Sequence, residues 1–241
     1  MKHKIYRIVC TALCCAPLLA TAQTGGKITS PQRLYEEGES LFRQKAFAAA
    51  MPPLQAFIKQ TDAEGAPVSA AGNKEEAEYM LVCAEYELRN PNSIELLREY
   101  LDTYPDTPHA NRICALIASA YFFEGKYDDA LAMFNSSRLD LLSNEERDDM
   151  TYRLATCYLK TGNVKEAAIW FETLRSTGSR YTADCTYYLA YIRYSQQRYD
   201  DALSGFLSLQ DNAKYEALVP YYIAEIYPVS YTHLTLPTNR E

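Results

Sequence analysis

The string YDDAL occurs twice, at residues 127–131 and 199–203, and Val164-Lys165-Glu166-Ala167-Ala168 lies about midway between the copies. Extending each copy gives three blocks that align over 21 columns without a gap: 114–134, 151–171 and 186–206. Self-similarity at this period means stacked units, each too small to bury a core alone. The columns read as two helices joined by a tight turn. Ala118, Ala155 and Ala190 fall midway along the first helix, where only a small side chain lets the paired helix approach. Gly125 and Gly162 end that helix in a left-handed cap, and Gln197 breaks this column at some cost in stability. Tyr127, Val164 and Tyr199 plug the turn. Ala130, Ala167 and Ala202 are small contacts of the second helix, and Phe134, Phe171 and Phe206 follow four places later on the same face.

Two weaker units precede these. Residues 34–57 carry Gly38, Leu41, Phe47, Ala50 and Leu54 at matching places, with Pro52-Pro53 tolerable only near the start of a helix. Residues 75–104 carry Cys83 at the small place and a shortened turn at Asn90-Pro91. Residues 61–74, rich in Gly, Ala and Pro, read as a loop between these units. Residues 216–227 read as a sixth first helix, with Ala224 at its small place.

The columns resemble the tetratricopeptide repeat: a small residue, then an aromatic (Tyr121, Tyr158), Gly-x-Tyr, Ala and Phe. The resemblance implies an all-α solenoid of antiparallel helix pairs wound into a right-handed superhelix. It covers 31–227, about five repeats and the sixth first helix. It also implies a concave groove lined by the second, fifth, ninth and twelfth places of each first helix. Carried onto this chain, those places are Arg112, Ala115, Ser119 and Phe122; Asp149, Tyr152, Thr156 and Leu159; Asp184, Tyr187, Tyr191 and Tyr194; and Tyr221 with Glu225. Tyr187, Tyr191 and Tyr194 share one helix face, which reads either as a binding stripe or as packing between repeats. The Lys/Asn pair with which chaperone-binding members hold a C-terminal carboxylate is missing, because Ala, Tyr and Thr occupy the matching places. Tyr104-Pro105-Asp106-Thr107-Pro108 resembles the inter-repeat run of tetratricopeptide proteins of the bacterial cell envelope, including the periplasmic partner of the Tol–Pal system and a lipoprotein of the outer-membrane assembly machine. Mechanically, its prolines stop one helix and restart the next.

Residues 1–22 read as a signal peptide: a basic start, an apolar run from Ile8 to Ala20 that is too short to span a bilayer, and Ala20-Thr21-Ala22 as the cleavage site. A linker, 23–30, follows. Leu13 does not suit lipidation of the adjacent cysteines, and no second long apolar run supplies a transmembrane segment. Cys83, Cys114, Cys157 and Cys185 stand singly and read as core residues with free thiols. Once 1–22 and 228–241 are set aside, 20 Lys and Arg face 30 Asp and Glu, a balance that disfavours nucleic acid and anionic lipid as partners.

Catalytic and metal motifs are absent from the sequence. His109 sits at a helix start and reads as a solvated cap. The acidic pairs Asp128-Asp129, Asp148-Asp149 and Asp200-Asp201 read as helix-dipole residues. No cofactor is expected. The expectation is therefore a non-catalytic scaffold that holds a protein or peptide, exported to the bacterial periplasm or outer membrane. Two other classes are a glycan- or nutrient-binding component of an outer-membrane uptake system, and an enzyme whose catalytic domain lies beyond residue 227.

At Pro228 the helical pattern stops. Codons GTC TCT TAT ACA CAT CTG ACG CTG CCG ACG would encode Val229–Thr238, a string that resembles a transposase adapter used in preparing sequencing libraries. Residues 228–241 are therefore expected to be a non-native tail that packs poorly, with further repeats in the true protein.

Overall fold

The computed structural model describes residues 30–62 and 69–234. The expected signal peptide and the end of the tail lie outside these residues. Within them the chain forms eleven α-helices and no strand. The helices pair in sequence order: α1 (Pro31–Arg43) with α2 (Phe47–Thr61), α3 (Ser69–Glu87) with α4 (Ser93–Thr103), and α5 (Ala110–Phe123) with α6 (Tyr127–Asn135). Then α7 (Asn144–Lys160) pairs with α8 (Val164–Ser176), and α9 (Thr182–Ser195) with α10 (Tyr199–Leu207). Helix α11 (Val219–Leu234) packs on α10. Each first helix also touches a neighbouring pair, so the result is an all-helical solenoid.

The turn inside every pair has the same backbone. Lys45, Arg89, Gly125, Gly162 and Gln197 all have positive φ, between 59° and 82°. In each case the next N–H reaches back over the last turn: Ala46 to Leu41 O, Asn90 to Glu85 O, Lys126 to Tyr121 O, Asn163 to Tyr158 O and Arg198 to Arg193 O, at 2.8–3.0 Å. These are five Schellman caps. Three of them use a side-chain-bearing residue where glycine has no steric cost. The common cap also fixes the register of the degenerate second unit. Counting back from Arg89 puts Val82, not Cys83, at the small place, and Cys83 one step further on.

The expected columns are buried. Ala118, Ala155, Ala190, Ala130, Ala167, Ala202, Phe171 and Phe206 are fully enclosed, and Phe134 nearly so. Close approach is literal at two points. A Cβ on Gly38 would stand 2.6 Å from the Leu54 side chain, and one on Gly205 would stand 2.8 Å from Ala190 Cβ. Cys83, Cys157 and Cys185 are buried and Cys114 is half-buried, all as free thiols.

Three expectations change. Helix α3 begins at Ser69, inside the stretch read as a loop to residue 74. Its Ala and Glu residues outweigh one glycine, and Lys74 ties it to α2 through Asp62 at 2.5 Å. Pro52 and Pro53 sit in the second turn of α2, past its start. The helix persists because Ala50, Leu54 and Phe57 are buried against its neighbours, offsetting the roughly 3 kcal/mol that an interior proline costs. Finally, α11 begins at Val219 and runs through Pro228 to Leu234, so the helix does not stop where the pattern does. Pro228 removes one hydrogen bond to the Ala224 carbonyl, and Ala224 is exposed, so water can serve that oxygen.

The cap geometry generates a test. Gln197→Gly should stabilise the protein by about 0.5–1 kcal/mol, the relieved left-handed strain exceeding the added unfolded-state entropy. Thermal unfolding of the two proteins side by side checks this, and a lower midpoint for the glycine variant would contradict it.

Candidate partner-binding groove

The first helices α3, α5, α7, α9 and α11 are held to one another by a recurring arrangement. A carboxylate in the first half of one helix accepts a hydrogen bond from an aromatic ring just before the next. The residue three places after the carboxylate is a tyrosine, and its ring stacks on that same aromatic. In the α3–α5 junction Glu76 Oε2 is 2.8 Å from His109 Nε2, and Tyr79 lies on the imidazole with ring centroids 3.6 Å apart. In the α7–α9 junction Tyr181 Oη donates to Asp149 Oδ1 at 3.0 Å, and Tyr152 stacks on Tyr181 at 4.4 Å. In the α9–α11 junction Tyr215 Oη donates to Asp184, and Tyr187 stacks on Tyr215 at 4.8 Å. Arg180 pairs with Asp149 and Lys214 with Asp184, so both aspartates also hold a cation. Charge-assisted hydrogen bonds of this kind are stronger than neutral ones and directional.

The α5–α7 junction inverts the charges. Arg112 Nε donates to Glu146 Oε1 at 2.7 Å, and its Nη1 reaches back to Tyr79 Oη at 2.5 Å. One guanidinium thus bridges three successive first helices. Burial opposes ionisation of Glu146, but Arg112 and Ser143 outweigh it and hold the carboxyl below its ordinary value. Cys83 lies 3.4 Å from the same guanidinium, yet burial pushes its thiol up to about 11, which leaves it protonated and unreactive.

This arrangement locates the residues expected to face the groove. Arg112, Asp149, Tyr152, Asp184 and Tyr187 are engaged in the junctions. Thr156 is buried, with its hydroxyl donating to the Tyr152 carbonyl at 2.8 Å. Phe122 is half-buried against Tyr127. Ala115 and Ser119 are enclosed. His109 makes no side-chain cap and is instead a junction residue. Asp149 lies past the first turn of α7, which explains its junction role in place of the dipole role read from the sequence.

Of the remaining residues, Leu159 and Tyr194 are half-buried and Tyr191, Tyr221 and Glu225 are open. Tyr191 is 38% exposed and Tyr221 60% exposed, with Glu225 exposed beside them. Tyr194 Oη donates to Glu225 Oε2 at 2.6 Å, and the hydroxyls of Tyr194 and Tyr221 hold the Glu225 carboxyl below its ordinary value. A cleft of about 420 Å³ lies alongside, lined by Leu159, Lys160, Val164, Tyr187, Tyr188 and Tyr191, with Ser195 at its edge. The stripe of three tyrosines is therefore divided: Tyr187 is packing, while Tyr191 and Tyr194 line the surface.

Sequence reasoning missed Arg89, Phe123 and Arg153, which meet where three successive helix pairs adjoin. It also missed the Arg180-Tyr181 and Lys214-Tyr215 pairs. Their signal was present: these cation–tyrosine dipeptides recur one repeat apart, as do Asp149 and Asp184 ahead of them. Among the described residues no group of three or more His, Cys, Asp or Glu gathers as a metal site, and no helix is long and apolar enough to cross a membrane.

The junctions make the fold sensitive to alkali. Burial, ahead of neighbouring hydroxyls and carboxylates, raises the phenols of Tyr79, Tyr152, Tyr187 and Tyr215 above the ordinary value of 10.0, and it pushes Tyr100 up to about 12. A phenol raised in the folded state contributes stability that is full below the unfolded value and is lost as pH rises. Stability should therefore fall from about pH 10 toward pH 12, with these tyrosines ionising only on unfolding. An ultraviolet phenolate titration run beside a dichroism titration checks it. All 21 tyrosines ionising near pH 10 with the helix signal intact would contradict it.

The tetratricopeptide repeat family model matches residues 115–181. No curated protein matches the chain. Solved structures do. MamA of AMB-1 superposes with a TM-score of 0.56 at 18% identity, over 76% of this chain and 92% of that one. PilF of Pseudomonas aeruginosa gives 0.53 at 14%, over 86% and 93%. The C-terminal part of a TPR repeat-containing protein from Cytophaga hutchinsonii gives 0.55 at 14%, over 85% and 78%. At these identities the likeness is one of fold, and it agrees with the family match over 115–181 and with the five capped helix pairs: the chain has the all-α fold of a tetratricopeptide-type solenoid.

Proposed function

We propose that this protein is a non-catalytic scaffold of a bacterial cell envelope, exported through its leader, which holds an extended peptide or helix of a partner protein on its concave face. One observation carries the reading. The junctions absorb most inward-facing polar groups, and what stays open on the first helices is Tyr191 and Tyr221, with the half-buried Tyr194 beside them in the row and a cleft of about 420 Å³ alongside. Tyrosine offers rigid apolar area and a hydrogen-bonding tip at low entropic cost, which suits a peptide main chain. Nothing in this row resembles a nucleophile activated by a base, and the buried thiols are held protonated. Export rests on the basic and apolar leader of residues 1–22, and the envelope assignment on the Tyr104–Pro108 run.

Two measurements test the reading. The double variant Tyr191→Ala/Tyr221→Ala should lower affinity for the partner at least about tenfold, as loss of aromatic anchors does at other interfaces, with the dichroism spectrum unchanged. Unchanged affinity would contradict the groove assignment. Fractionation of the native host should find the protein outside the cytoplasm with Gln23 at its N-terminus, and a cytoplasmic chain beginning at Met1 would contradict export.

A further inference from the structure

We infer that the partner segment is acidic, and that its carboxylates are received by a cationic–aromatic patch formed by Arg89, Phe123 and Arg153. This deepens the groove reading above and rests on it. Arg89 is the left-handed cap residue of α3, with φ 60°. Its guanidinium carbon lies 4.3 Å from the centroid of the Phe123 ring at the end of α5. The guanidinium carbon of Arg153, in α7, lies 4.9 Å from the same centroid. Three successive helix pairs therefore each contribute one member. The ring is half-open to solvent, at 49% exposure.

The two cations are held differently. Arg153 Nη1 donates to Ser119 Oγ at 2.7 Å, and Ser119, fully buried, also accepts from Tyr86 Oη at 2.7 Å. That chain across α3, α5 and α7 fixes the guanidinium in place. Its nearest carboxylate oxygen, Asp149 Oδ2, is 3.9 Å away, and the other oxygen of Asp149 already takes Arg180 and Tyr181. Arg89 makes no ion pair or side-chain hydrogen bond among the described residues, so its contact is the ring face.

An arginine on an aromatic face keeps its N–H edge free, and that edge matches a carboxylate with two parallel hydrogen bonds. Two cations brought to one ring repel each other, and an anion bridging them removes that repulsion. On a chain of net charge −7, this stretch presents an exposed guanidinium, Arg89, a second, Arg153, whose side chain is 17% exposed, and an open apolar ring. Side-chain carboxylates of an Asp- or Glu-rich segment, interleaved with apolar residues for Phe123 and the tyrosine cleft, complement both features.

The test uses the mature chain and a fluorescein-labelled peptide of alternating Glu and Phe, with a Gln-for-Glu counterpart of the same length. Fluorescence anisotropy should give at least about tenfold tighter binding of the Glu peptide, weakening as salt rises. Arg89→Gln, a substitution of an exposed side chain, should remove most of that preference and leave the helix signal unchanged. Equal affinity for the two peptides, binding of neither, or a preference untouched by Arg89→Gln would overturn the proposal. Tyr191→Ala separates it from the groove reading. If Tyr191→Ala weakens both peptides while Arg89→Gln does nothing, the groove stands and the acidic preference falls. If Arg89→Gln acts and Tyr191→Ala does not, the cationic patch stands and the tyrosine row falls.

Discussion

A helix pair from this chain cannot bury its own apolar faces, so the fold depends on how each pair grips the next. From α3 onward the grip is a carboxylate that accepts from an aromatic ring while a tyrosine one turn along its own helix stacks on that ring. Stacking fixes the distance between successive first helices, and the hydrogen bond fixes their rotation. Three junctions carry this arrangement, through Glu76 with His109, Asp149 with Tyr181 and Asp184 with Tyr215. The fourth keeps the contact but exchanges the charges, with Arg112 on Glu146. Apolar burial drives the stacking in bulk. It is non-directional, and the polar junctions supply the direction.

The same interaction decides which residues remain for binding. A side chain committed to a junction has its polar atoms satisfied and its ring covered, so it offers a partner little. Asp149, Asp184, Tyr152 and Tyr187 are in this state. What remains is a tyrosine surface around Tyr191 and Tyr221 toward the last helices, and guanidiniums on Phe123 toward the middle. The separation of an open aromatic stretch near the last helices from a cationic one near the middle thus follows from how the repeats are joined.

Much of the fold was legible in the sequence because its determinants are local. The Ala, Gly, Tyr and Phe columns each report one steric requirement inside a helix pair, and those requirements recur with the period. The left-handed caps at Lys45 and Arg89 were not legible as such, because a side-chain-bearing residue gives no sign that its φ is positive. The early start of α3 and the passage of α11 through Pro228 were misjudged for a related reason: Gly and Pro mark a cost, and only neighbouring contacts or open solvent say whether that cost is met. The candidate site was less legible. Family places identified which residues point inward, but whether an inward residue is free or consumed depends on a partner in the next repeat. The cation–tyrosine dipeptides were the one sequence trace of that partnership.

The central claim, that carboxylate and stacked aromatic act as one unit joining successive repeats, is tested most directly by a double-mutant cycle at one junction. Asp149→Asn, Tyr181→Phe and the combined variant would be unfolded in urea alongside the parent. The account predicts that the two losses are not additive, with a coupling energy of about 1 kcal/mol or more. Losses that add to within about 0.3 kcal/mol would mean that the two groups stabilise the fold independently, and would contradict it.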